Sequence, residues 1–368
     1  SARPYISQIE QNLEDAYHKY TNELQVKPYT SGLAKLVVEV YEFPGKKNFL
    51  MGYTAPEMAI ELNANYLDQE SVLMATPAHE LFHKVQYNYG YRTKWFVNGE
   101  HNHNHDEKDV HDEEDDGHDN IFSWFAEGTA AWAEYYIANT VSESLKIKSM
   151  YFEPQVPLFK HASESFPFWD FFFNHIERFK DKRQTVHPMN VVLENLLKTE
   201  GKVLQTVVNS INQYDKSVND IDDVFAIFCN YRRFIDETSY TPELKQEVKS
   251  LFNNKLKKLR NEQVYTASVK PLACNYYYKS RIKFDNLKNL EFTIESENQD
   301  DCLICELALN REKNPKRLKF DPLKKCYTIT ISEKDNLLNG KNNELILMVN
   351  GKMGKANKYT YMLSHSTK

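Results

Sequence analysis

No stretch of this chain approaches the roughly 20 consecutive apolar residues that a membrane-spanning helix needs, so no membrane span is expected. Its first residues, Ser1-Ala2-Arg3-Pro4-Tyr5, show no charged-then-apolar signal region. The mature form of a secreted protein would begin in the same way, and a secreted or extracytoplasmic location is the expectation. A basic stripe with interleaved aromatics is also lacking, which argues against nucleic-acid binding. Cysteine is scarce: five in 368 residues, all in the second half, at 229, 274, 302, 305 and 326. An odd count leaves at least one thiol without a partner in the chain. Cys302-Leu303-Ile304-Cys305 has no second such pair with which to complete a four-cysteine zinc site. A disulfide from Cys302 or Cys305 to Cys326 is one reading, and buried free thiols are the other.

What is present suits a globular protein of two or three packed units, with 41% hydrophobic and 13% aromatic residues to fill their cores. The formal net charge of -6 conceals a strong asymmetry. From Glu100 to Asn120, ten Asp and Glu stand against one Lys, a local charge of -9, so the remainder of the chain sums to about +3. The same stretch holds five histidines, among them His101, His103 and His105. It has too little apolar surface to bury, and a solvated, disordered insertion is expected at 100–120. A weak metal-collecting loop is the alternative, but catalytic ligands need rigid support that this segment lacks.

The chemistry-bearing stretch is His79-Glu80-Leu81-Phe82-His83. Residues four apart lie one turn apart on the same helical face, so both imidazoles can reach one zinc ion, with Glu80 beside them as general base. Ala78, Phe82, Val85 and Tyr89 form an apolar stripe, with His79, His83 and Gln86 on the neighbouring polar one. The helix is expected either from Thr76-Pro77, as cap and first-turn proline, or from an earlier start near Asp68 or Ser71. A catalytic zinc needs a third protein ligand and a fourth position for water. Glu127 is the candidate, on a second helical pattern over Ile121–Tyr136 in which Trp124, Ala131 and Tyr135 form the buried stripe. Small Gly128, Ala130 and Ala131 would let this helix approach the first. Glu134, two turns on, is either a support for a ligand histidine or a surface charge. Tyr151, His161 and His175 are available as oxyanion donors, with nothing to choose between them.

Around these motifs, residues 5 to 26 read as an amphipathic helix. Lys35–Phe43, Asn48–Tyr53 and Met58–Tyr66 read as short strands leading into the metal-bearing helix. An edge strand there could hold an extended peptide. The aromatic run from Pro167 to Phe179 would floor the cleft, and helices at Met189–Leu197, Val203–Tyr214, Ile221–Phe234 and Pro242–Asn261 would pack onto the catalytic half. Past Val264 the period shifts to two. Six or so strands, with Asn350-Gly351 as a tight turn, predict a β-sandwich that caps the helices or binds a surface or protein partner.

The two motifs, His79-Glu-Leu-Phe-His83 and Trp124-Phe-Ala-Glu-Gly-Thr-Ala-Ala-Trp-Ala-Glu134, resemble those of the gluzincin metallopeptidases. The second is similar to the Asn-Glu-Gly-Phe-Ala helix of the aminopeptidase-N group and to Glu-Gly-Thr-Ala helices of secreted bacterial metalloproteases. The resemblance implies zinc on His79, His83 and Glu127, with Glu80 as base, and a peptide or protein substrate. It departs in spacing, because 43 residues separate His83 from Glu127, and in the absence of a Gly-x-Met-Glu-Asn strand, for which Met58–Asn63 offers only Glu61 in another frame. Ala131 stands where thermolysin-type enzymes carry an Asp. An endopeptidase is therefore expected, with an aminopeptidase-type exopeptidase or a non-catalytic zinc-binding or adhesion module as alternatives. The expected fold is an α+β zincin-like catalytic domain (1–150) with a helical lower subdomain (151–262), followed by a C-terminal all-β sandwich (263–368).

Overall fold

The architecture is that of a computed structural model, which describes residues 3–30, 32, 35–91, 118–139, 151, 153–238, 240–260, 263–282, 287–297, 301–309, 313–332, 343–354 and 357–367. Most of the acidic insertion predicted at 100–120 lies outside the described residues. The described residues form eight α-helices and three sheets, and the chain divides into two compact units, Ser1–Ile147 with Phe159–Asn219, and Lys148–Leu158 with Asp220–Lys368.

In the first unit, helix α1 (Ile6–Asn22) buries Ile9, Asn12, Ala16 and Tyr20 along one face. A three-stranded sheet follows, of β1 (Val38–Tyr41), β2 (Gly52–Thr54) and β3 (Ile60–Asn63). Its order is β1-β3-β2, with β1 parallel and β2 antiparallel to β3. Asn63 closes β3 by accepting from the Phe43 and Asn65 amides and donating to the Asn48 and Leu50 carbonyls. Helix α2 (Glu70–Gln86) carries the His79–His83 motif and starts early, so that Pro77 lies inside it rather than in its first turn. Every residue from Ala75 to Gln86 is buried, so the polar stripe is enclosed along with the apolar one.

An interior proline removes the amide that the carbonyl four residues back would have used. That carbonyl belongs to Leu73, and Asn12 Nδ2 from α1 donates to it at 2.9 Å. The chain thus compensates a defect in one helix with a side chain from another. A second tie runs from the buried Lys84, whose ammonium donates to the carbonyls of Ala55, Pro56 and Met58 and so pins the β2–β3 connection to α2.

Helix α3 (His118–Ala138) lies between α2 and α4 (Phe166–Phe179). The close approach enabled by Gly128 is to Ser165 and Trp169 on the α4 side, not to α2: a Cβ at Gly128 would fall 2.0 Å from Ser165 Oγ and 2.4 Å from Trp169 Nε1. Both of those groups donate to the Trp124 carbonyl. Trp124, Phe168, Trp169 and Phe172 then form one aromatic cluster, with Trp124 and Trp169 centroids 4.7 Å apart. Helices α5 (Pro188–Lys198) and α6 (Val203–Asn212) complete this unit. His187 caps α5 by accepting the Met189 amide on Nδ1 at 3.1 Å, under the rings of Trp132 and Tyr136.

The second unit takes the helices α7 (Ile221–Tyr231) and α8 (Pro242–Lys255) away from the expected lower subdomain. The reason is packing: Tyr276 donates its hydroxyl to the Cys229 carbonyl and sets its ring 4.9 Å from that of Phe252. The strands are β4 (Lys257–Lys258), β5 (Tyr265–Val269), β6 (Cys274–Ile282), β7 (Leu287–Ser296), β8 (Leu303–Leu309), β9 (Lys316–Arg317), β10 (Lys319–Asp321), β11 (Cys326–Ser332), β12 (Asn343–Gly351) and β13 (Asn357–Thr367). They make two five-stranded sheets, β10-β11-β7-β13-β5 and β4-β6-β12-β8-β9. Alternate residues of both, such as Phe292 and Ile294 from one and Leu345 and Leu347 from the other, enter one shared hydrophobic cluster. Asn350-Gly351 is not a hairpin, because β12 and β13 belong to different sheets. Gly351 is needed instead for backbone approach, since a Cβ there would lie 2.2 Å from the Lys270 carbonyl oxygen. All five cysteines are free thiols, with Cys302 held by Ser296 at 3.0 Å rather than by Cys326.

Two predictions follow from these packing details. Replacing Asn12 by Ala leaves the Leu73 carbonyl buried without its donor and lowers unfolding free energy by about 1–3 kcal/mol. Denaturant titration should show that Pro77→Ala, which restores the helical amide, recovers much of that loss in the double variant. For His187, burial pushes its pKa down from 6.5 to about 4. The unfolded chain therefore binds a proton below about pH 6.5 that the folded chain refuses until about pH 4, and stability falls across that window on acidification while remaining whole above it. The loss is about 3 kcal/mol. His187→Asn, which keeps a capping acceptor, should flatten that part of the stability–pH curve.

Candidate metal centre

The site is assembled from two helices that the sequence separates by 43 residues between His83 and Glu127. On α2, His79 and His83 stand one turn apart with ring centroids 4.8 Å from each other. On α3, Glu127 turns its carboxylate toward both: Oε2 is 3.3 Å from His79 Nε2, and Oε1 is 3.5 Å from His83 Nε2. One ligand atom from each of the three residues lies within 4.8 Å of the others, and among the described residues this is the only His, Cys, Asp or Glu group so arranged.

The opposite ring nitrogens are occupied, which fixes where the converging ones point. His79 Nδ1 meets Glu134 Oε2 at 2.9 Å, and Glu134 is wholly buried. His83 Nδ1 donates to Gln86 Oε1 at 2.8 Å, while Gln86 Nε2 donates to the Ala126 carbonyl and to Thr129 Oγ1, each at 2.8 Å. Gln86 therefore joins the two helices at the level of the site. Of the alternatives for Glu134, a support for a histidine matches its position, and a surface charge does not.

A tetrahedral zinc with ligands at about 2.0–2.1 Å places its donor atoms roughly 3.3 Å apart, close to the two imidazole–carboxylate separations above. Two neutral nitrogens and one carboxylate are the ligand type that a catalytic zinc takes, and each imidazole has the outer partner that usually orients it. The residues fit the ion. Electrostatics points the same way. Burial opposes a positive charge on His79, yet Glu127 and Glu134 on either side outweigh it and push its pKa up to about 10. His83, with Gln86 rather than a second carboxylate, is pushed down by burial. The two carboxylates draw a cation, proton or metal, to the space that the Nε2 atoms face.

Glu80, next to His79 along α2, is buried. Its side chain packs on β2, where a Cβ at Gly52 would fall 2.8 Å from Glu80 Cγ, Glu80 Oε1 and Thr76 Cγ2. The neighbouring Tyr53 hydroxyl has its pKa raised by burial and by the charges of Glu61 and Glu80. Glu127 differs from the others in keeping 40% of its side chain exposed, so its carboxylate is the solvent side of the group. Outside the group, His175 is committed to Asp215 at 2.9 Å, Tyr151 is buried in the second unit beside Tyr240, and His161 is buried. None of these three candidate oxyanion donors belongs to the ligand cluster. Gly52 and the linking role of Gln86 were not read from sequence. Gln86 had a signal in its position three residues after His83, whereas Gly52 matters only through the packing of β2 on α2.

Compared with family models and with curated proteins, the sequence gives no match.

Gly52→Ala should displace the Glu80 carboxylate without touching a ligand. Zinc uptake measured by elemental analysis should match that of the parent chain, while unfolding free energy in denaturant falls by about 1–3 kcal/mol. Gln86→Leu should act the other way round, loosening His83 and weakening zinc affinity by about 10- to 100-fold, as competition with a chelating dye would show.

Proposed function

We propose that the chain is a zinc-dependent peptide-bond hydrolase of the zincin-like, gluzincin type, and that it acts as an endopeptidase. The observation that carries this reading is the convergence of His79 Nε2, His83 Nε2 and both Glu127 oxygens, with the buried Glu80 next to His79 along the same helix. His79, His83 and Glu127 would hold the metal. Zinc, when bound there, supplies Lewis-acid polarisation of the scissile carbonyl and lowers the pKa of a water to about 7.

The chain's own residues supply the proton handling. Glu80 accepts a proton from the attacking water as the carbon–oxygen bond forms, and then delivers it to the amide nitrogen as the carbon–nitrogen bond breaks. Two acids and two bases are thus avoided: one carboxylate carries the proton in both directions. Gly52 keeps space for that carboxylate against the backbone of β2. Because β2 is at the end of its sheet, an extended polypeptide can add along it by backbone hydrogen bonds, which would lay successive peptide groups past Glu80. An open edge suits internal cleavage better than the capture of a chain terminus.

Glu80→Gln tests the mechanism. The variant should keep one zinc per chain and lose about 10²- to 10⁴-fold in kcat/KM on a mixed peptide pool. Equal cutting by both proteins would remove Glu80 from the mechanism. Terminally blocked and free versions of one peptide should be cut alike, and cleavage confined to the free amino terminus would replace the endopeptidase with an exopeptidase.

A further inference from the structure

A cation is enclosed in the core of the second unit. Arg232 closes α7, its amide donating to the Phe228 carbonyl at 3.0 Å, and only 2% of the residue is exposed. Its guanidinium Nε and Nη2 are buried and have no hydrogen-bond partner. The rings of Phe228, Tyr151 and Tyr276 surround it, with centroids 5.3, 5.7 and 5.9 Å from the guanidinium carbon. The groups whose charges bear on it are the hydroxyls of Tyr276 and Tyr151 and the thiols of Cys229 and Cys274, with no carboxylate among them. Two of these already spend their protons elsewhere. Tyr276 donates to the Cys229 carbonyl at 2.9 Å, and the Cys274 thiol donates to the Asn275 carbonyl at 3.6 Å.

The same layer holds a second polar side chain of this kind. Alternation along β12 sends Leu345, Leu347 and Val349 into the core shared by the two sheets. Asn350 therefore faces the other way, on the α7 side, with its register partner Cys274 of β6. It is 1% exposed, and neither its Oδ1 nor its Nδ2 has a hydrogen-bond partner.

An arginine cannot escape burial by releasing its proton. Its enclosed charge is costly, and the aromatic faces and the carboxyl end of α7 offset only part of that cost. Water would satisfy the two N–H groups and leave the charge uncompensated, whereas an anion does both. One guanidinium balances one negative charge, and near-complete burial favours an ion that loses its hydration cheaply. We propose that Arg232 is the centre of a buried binding site for a weakly hydrated monovalent anion of the halide class, held by Nε and Nη2 with Asn350 Nδ2 as a further donor. Such an ion ties the end of α7 to the sheet beneath it, a role that does not depend on the hydrolase reading.

The test uses the full chain with bromide as the probe. Fluoride, whose hydration is too strong for such a site, makes up a constant ionic strength so that screening does not change. Raising bromide from about 1 to 100 mM should then raise the thermal unfolding midpoint by about 5 °C or more for a site of millimolar affinity. In Arg232→Met, which removes the charge and keeps the bulk, the midpoint should no longer respond to bromide. Should that variant fail to fold, anomalous diffraction from crystals of the parent chain grown in bromide provides a second readout, with a peak expected against Arg232 Nε and Nη2. A midpoint indifferent to bromide, a response that survives in Arg232→Met, or water alone beside the guanidinium in those crystals would each overturn the proposal.

Discussion

The first unit depends on how its two histidines are aimed. An imidazole on a helix can rotate, and two of them four residues apart present a common face only if something holds each ring. Here Glu134 and Gln86 take the Nδ1 atoms, and both act through α3: Glu134 resides on it, while Gln86 reaches across to its Ala126 carbonyl and Thr129 hydroxyl. The same helix supplies Glu127. One helix–helix interface thus provides the third converging carboxylate, both orienting contacts and the spacing between the converging atoms.

The other contacts of α2 keep that interface in register. Asn12 compensates the carbonyl that Pro77 leaves open, Lys84 gathers the three carbonyls of the β2–β3 connection, and Gly52 lets β2 lie directly on Glu80. On its far side α3 is fixed by Gly128, where only a bare Cα admits Ser165 and Trp169. The aromatic richness of α4 serves this contact, burying the Trp169 indole and the Phe168 ring against Trp124.

Local patterns made much of this legible in the sequence. The four-residue histidine spacing, the carboxylate in an apolar helix and the change to a two-residue period past Val264 each reflect a repeat that neighbouring residues reveal by themselves. The six or so short strands expected past Val264 correspond to β6, β7, β8, β11, β12 and β13. What the sequence did not reveal depends on partners far along the chain. Pro77 leaves two helix starts open in the sequence, and the earlier one near Asp68 or Ser71 is the one found; what sequence does not reveal is the compensating donor, Asn12, 65 positions before it. Gly128 was read as facing α2, since the spacing of small residues does not say which of two neighbours they admit. Gly351 resembled a turn glycine because the obstructing carbonyl of Lys270 belongs to another strand. The boundary between units was displaced for the same reason, α7 and α8 being amphipathic whichever core they join.

The enclosure of α2 has a mutational and dynamic side. From Ala75 to Gln86 every residue of this helix is buried, and contacts from α1, the β2–β3 connection and α3 grip it at once. Such a segment has no low-energy local opening, so its amides exchange only when the whole unit unfolds. Gln86 and Glu134, which hold the two rings, are core residues, and only Glu127 keeps a solvent side. A substitution that re-aims either imidazole is therefore also felt by the packing of the unit.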